Sequence, residues 1–135
     1  MEVYNSKYLH IAFFAEQSLM ELAWQSESKM MDTLDCKQEM LNYADVVRKL
    51  HPRRIVLDIR TMLFTFSPDL QNWIDQTIIP SLLASGMRWV AFVVGEDFFV
   101  VLSTKQVMGE QNGIKFTTQY FDNKETAKKW ILSVG

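Results

Sequence analysis

The chain has 135 residues, 48% hydrophobic, 13% aromatic and 22% charged, which is ample apolar surface to order one domain and too little length for two. Fourteen basic against sixteen acidic side chains leave a net charge of -2, and the scattered Lys and Arg exclude the basic footprint of a nucleic-acid binder. A single cysteine, Cys36, excludes an internal disulfide and a multi-thiolate metal site and points to a reducing, cytoplasmic setting; neither an export signal nor a membrane-spanning apolar run is expected.

Tyr8 to Phe14 and Leu19 to Trp24 are apolar runs separated by Ala15-Glu16-Gln17-Ser18, the spacing of an antiparallel hairpin. In the second run Met20, Leu22 and Trp24 alternate with Glu21 and Gln25, which predicts a strand with one wetter side or a place toward an edge, its partner the more buried of the two. From Thr33 the period changes. Cys36, Met40, Tyr43, Val47 and Leu50 recur at steps of four and three, an amphipathic helix that should end at His51, because Pro52 disfavours helical angles in the residue before it. Arg54 to Ile59 then reads as a strand buried on both faces, the signature of a parallel sheet.

Ser67-Pro68-Asp69 supplies an N-cap, a proline at the first helical position and an early acidic residue. The helix that follows carries Leu70, Trp73, Ile74, Thr77 and Ile78 as its inward stripe, with a kink or interruption expected at Pro80 and a left-handed cap at Gly86. Arg88 to Val94 is another buried strand. Phe98 to Met108 suits a helix starting near Asp97, with Phe98, Val101, Leu102 and Met108 as its apolar positions, and also suits a strand at its start; the helix is preferred. Asn112-Gly113 marks a turn, Phe116, Thr118 and Tyr120 alternate as a last strand, and Asp122 with Glu125 has the form of a capping box before a helix through Trp130. The expected fold class is α/β, a single mainly parallel mixed sheet with an N-terminal antiparallel hairpin and the order ββαβαβαβα.

This order, together with Ile55-Val-Leu-Asp58 followed nine residues later by a helix-opening serine, resembles the STAS domain of anti-sigma-factor antagonists and sulfate transporters, and SpoIIAA-like proteins most of all. The run Tyr120 to Ala127 and Trp130-Ile131 is similar to the strand end and helix with which those chains finish. The resemblance implies a SpoIIAA-like regulatory domain without catalytic activity, working by protein-protein interaction, and a serine phosphorylated by a partner kinase within an Asp-Ser-(Ser/Thr)-Gly signature. That serine falls on Ser67, where Phe66 replaces the aspartate, Pro68 the second hydroxyl residue and Asp69 the glycine. Structural capping is the plain alternative for Ser67.

Two sites of different class follow. Met62, Phe64 and Phe66 lie in a loop of unusually apolar character for a connection; either it folds back near Trp73, or it is exposed and, with Ser67 and Trp73 of the following helix, marks a docking surface for a protein partner or another copy of the chain. Met30 and Met31 offer adaptable apolar surface nearby. Asp58 and Arg60 at one strand end, with Glu96 and Asp97 at the next, define a candidate crevice for a cation or polar group, the site of a small-molecule binder or an unrecognised enzyme; in the plain alternative Asp58 bonds loop amides and Asp97 caps a helix. Cys36 on its helix stripe reads as a buried, inert thiol, and His10 and His51 lack catalytic companions. With no GxSxG, Walker A, dinucleotide fingerprint, HExxH or CxxC, neither a cofactor nor a resident metal is expected.

Overall fold

The computed structural model describes residues 1–135. Its strands are β1 (Glu2–Asn5), β2 (Leu9–Phe14), β3 (Leu19–Trp24), β4 (Arg54–Asp58), β5 (Trp89–Val93) and β6 (Thr117–Phe121). Its helices are α1 (Thr33–Leu50), α2 (Pro68–Trp73), α3 (Ile79–Ala84), α4 (Phe98–Met108) and α5 (Lys124–Ser133). The six strands form one sheet whose spatial order is their chain order. Pairing is antiparallel from β1 to β3 and parallel from β3 to β6, so the chain is an α/β protein of the expected class.

Each parallel crossover steps the same way along the sheet, and right-handed crossovers then place α1, the α2–α3 segment and α4 on one face. That face holds the main core, 25 buried residues running from Leu9 to Phe116. The opposite face is closed by α5 alone, through Ala127 and Ile131 against Leu19, Val56, Ala91 and Val93. Because α5 lies over β4, β5 and β6, the same face of β1 and β2 is left open. There His10 and Phe14 are exposed.

Three expectations need correction. A strand precedes the hairpin: β1 is four residues with polar ends, too short to show a period. β3 is an inner strand flanked by β2 and β4, and it is more buried than β2, because the wetter side around Glu21 reflects the limit of α5's cover and not an edge. The last helix is capped by Asn123, whose side chain accepts from the Thr126 N–H at 2.9 Å, and not by an Asp122–Glu125 box. The strand-or-helix stretch 98–108 is helical, with Asp97 accepting from the Phe99 and Val100 N–H groups at 3.0 and 3.2 Å.

Pro80 has the expected effect by an unexpected route. Proline cannot donate to the carbonyl four residues back and its ring clashes there; the chain answers with a π turn over Ile74–Ile78, with the Ile79 N–H bonded to the Ile74 carbonyl. The wider turn slips the helical phase. Thr77, placed inward by the simple period, is exposed, and Asp75 is buried.

Candidate functional site

The carboxyl ends of β3, β4 and β5 share one edge of the sheet, and the loop after β4 is stapled across it. Thr61 Oγ1 donates to the Trp24 carbonyl at 2.7 Å, and the Leu63 N–H donates to the buried Ser28 Oγ at 2.8 Å. The Phe66 N–H donates to Ser103 Oγ of α4 at 3.3 Å, while Gln71 of α2 donates to the Phe66 carbonyl at 2.9 Å and to Gln106 Oε1 at 2.8 Å. Between these anchors Met62 is buried, and Phe64 and Phe66 are half-buried against the main core, edge to face at 6.0 Å. Of the two forms open to this loop, it takes mainly the folded-back one. Trp73 is half-buried as well, with the Lys37 ammonium 5.2 Å from its ring centre.

Part of the exposed apolar surface lies on the loop and on α4, while Phe14, Leu34, Leu41, Ile114 and Leu132 are exposed elsewhere. Leu63 is 46% exposed, Phe98 67%, Phe99 69% and Leu102 39%, and the two phenylalanine rings stack edge to face at 5.5 Å. Sequence pattern placed Phe98 and Leu102 on the inner stripe of α4. The buried positions are instead Val100, Ser103, Thr104 and Val107; the two hydroxyls are tolerated because both donate to the Val100 carbonyl, at 3.3 and 2.8 Å. A helix start reading Phe-Phe-Val-Val is apolar on every side, so periodicity cannot choose which side faces in. Met30 is exposed on the other flank, whereas Met31 is buried.

Ser67 is exposed at the start of α2, and its Oγ accepts from the Leu70 N–H at 3.3 Å, an N-cap. The four crevice residues do not form one cluster. Asp58 is held by Arg60 through its backbone N–H at 3.1 Å and through Nε and Nη2 at 3.0 and 2.7 Å. Burial alone would raise its carboxyl, but the hydrogen bonds from Arg60 outweigh that and hold it below the ordinary range. Asp97 caps α4 and Glu96 is exposed; neither forms an ion pair with Arg60. Gly95 runs so close to Arg60 that a Cβ would sit 2.9 Å from the Arg60 carbonyl oxygen, so the strand ends pack tightly instead of opening a cleft.

On its other side Asp58 borders a shallow groove of about 270 Å³ on the sheet face that α5 leaves open, shared with Glu2, His10, Glu21 and Lys124. Glu21 is tied to Lys124 at 2.7 Å and Lys128 at 3.0 Å; burial acts to raise its carboxyl, and the two ammonium groups bring the balance below the ordinary value. No three His, Cys, Asp or Glu side chains sit together as metal ligands would. A cavity of about 60 Å³ inside the main core is lined almost wholly by apolar side chains, Leu22, Met62, Phe66 and Phe92 among them, far below the roughly 300 Å³ at which ligand pockets begin. Cys36 is buried, and burial, with a smaller push from Glu39, raises its thiol to about 12. The His51 ring sits 3.1 Å from the Ser85 carbonyl.

Sequence reasoning passed over Asp75. Its carboxylate, buried by the π turn, accepts from the Asn112 and Gly113 N–H groups at 3.1 and 2.8 Å and fixes the turn before β6. No sequence signal marks it, since its burial follows from the phase slip.

The class defined by these features is an α/β sheet protein whose candidate site is an apolar face on the carboxyl edge. Comparison with protein families, curated proteins and solved structures returned no match.

Proposed function

We propose that this chain is a non-catalytic, STAS-like interaction module that docks a protein partner through the loop after β4 and the adjoining helices. The observation that carries this is the exposure of Leu63, Phe98, Phe99 and Leu102 around a loop held rigid from four sides. Met62, Phe64, Phe66 and Trp73 act mainly as its support, because most of their surface is already committed to the core. Burying one phenylalanine ring contributes about 1.5–3 kcal/mol, so two adjacent rings are enough to anchor a partner's apolar side chains on a scaffold that loses little entropy on binding.

Ser67, an exposed residue, follows the loop directly and opens α2. A phosphoryl group there would bring a dianion beside the apolar surface and next to Asp69, and so release the partner. The test is to crosslink the full chain in lysate of its native host, purify the captured protein and titrate it against three forms. Phe98→Ser/Phe99→Ser is expected to weaken binding at least tenfold with the fold intact, since exposed side chains contribute little to stability, and Ser67→Asp is expected to weaken it by a smaller factor. Equal affinity for wild type and the double variant would overturn the docking face; equal affinity for Ser67→Asp alone would remove the switch.

A further inference from the structure

The two edges of the sheet are built differently. β1 is short, its register with β2 shifts between Glu2 and Tyr4, and it begins on a charge, all devices that discourage pairing with another strand. β6 has none of them. It reads Thr-Thr-Gln-Tyr-Phe, without charge, proline, glycine or bulge, and pairs with β5 in unbroken register from Thr117 to Phe121. The Thr117 N–H donates to the Arg88 carbonyl and the Phe121 carbonyl accepts from the Val94 N–H, at 2.9 and 2.8 Å. Residues 117, 119 and 121 therefore aim their backbone at β5, and by the strand's period of two Thr118 and Tyr120 aim theirs outward, where no further strand lies. Helix α5 packs on one face of β4, β5 and β6, most on β5 and least on β6.

We propose that β6 pairs antiparallel with β6 of a second copy of this chain, joining two sheets into one across a two-fold axis at Gln119. In that register Thr118 of each copy exchanges N–H and C=O with Tyr120 of the other, the hydrogen-bonded pair of an antiparallel ladder. The arrangement is self-complementary, as a two-fold interface must be. The charges flanking the neutral strand agree with it: Lys115 precedes β6 and Asp122 follows it, so the dyad sets each lysine opposite the second copy's Asn123, one residue from its Asp122, at both ends. Half-buried Tyr120, Phe121 and Trp130, with Phe121 and Trp130 5.8 Å apart, supply the apolar surface that a bare strand pair lacks.

The experiment is sedimentation of the full chain over roughly a hundredfold range of concentration, since association follows mass action. A monomer-dimer equilibrium is expected. Thr118→Pro removes an outward N–H and no β5–β6 hydrogen bond, and Gln119→Lys puts two like charges at the axis on an exposed position; each is expected to raise the dissociation constant at least tenfold with unchanged circular dichroism. Lys115→Glu is expected to weaken the dimer and Lys115→Glu/Asp122→Lys to restore it. A monomer at every concentration overturns the proposal, as does a dimer that persists in Gln119→Lys and is indifferent to the charge swap. Should Thr118→Pro disturb the fold, Gln119→Lys and the charge swap decide the matter without it.

Discussion

Asp75 and Gly113 form a single structural unit although 38 residues separate them. The carboxylate takes two backbone N–H groups of the turn before β6, and Gly113 is required there because a Cβ would lie 2.4 Å from the Val107 carbonyl oxygen. Asp75→Ala should therefore cost about 2–3 kcal/mol, the value of hydrogen bonds to a buried charged group that leave their donors orphaned. Gly113→Ala should cost about 3 kcal/mol through overpacking. Urea unfolding of both single variants and of the double variant tests this, and the double should fall well short of the sum, because either change alone displaces the same turn. Cys36 makes a simpler case: its buried thiol should react with a disulfide reagent only in denaturant, and rapid labelling of the native chain would contradict the burial.

Among the elements, α5 closes its face of the sheet by itself. Ala127 and Ile131 are its two fully buried residues, and Lys124 and Lys128 tether it to Glu21 of β3. Ile131→Ala should cost about 2–4 kcal/mol in chemical denaturation. The ion pairs set a pH dependence whose sign follows from Glu21. Its carboxyl titrates lower in the folded chain than in the unfolded one, so its contribution is fully present above the ordinary glutamate value of about 4.3 and is lost as pH falls through the folded value. Lys124→Met should thus be less stable than wild type at neutral pH, with the gap closing as the medium is acidified through that window. A gap that stays constant down to strongly acidic pH would show that the pair is not responsible. The π turn between α2 and α3 belongs to this scale too: its helical residues were legible from Ser67 to Gly86, but the phase within them was not, since the period assumed a regular helix and Pro80 imposed a different one.

At the scale of the molecule, no helix is long and apolar enough to cross a membrane, Leu63, Phe98, Phe99 and Leu102 are exposed, and β6 has a neighbouring strand on one side only. Local chemistry in the sequence determined the α/β class, the N-terminal hairpin, the helix from Thr33 to Leu50, the cap at Ser67, the left-handed Gly86 and the buried Cys36, because each rests on periodicity or on one residue's own conformational preference. Tertiary structure alone decided the rest. It set which side of α4 faces the sheet, leaving Phe98 and Phe99 exposed, since a helix apolar all round takes its orientation from what it packs against. It paired Asp58 with Arg60 and kept it from Glu96 and Asp97, since the course of the loop and not the spacing of strand ends determines which charges meet. It recruited Glu2–Asn5 as a strand, because four residues gain strand geometry only from the neighbour they bond. The loop from Thr61 to Ser67 was legible as unusual from its composition; that it serves as the rigid floor of an exposed face, with Met62 inward and Leu63 outward, depended on hydrogen bonds to Trp24, Ser28 and Ser103, partners that only the folded chain brings within reach.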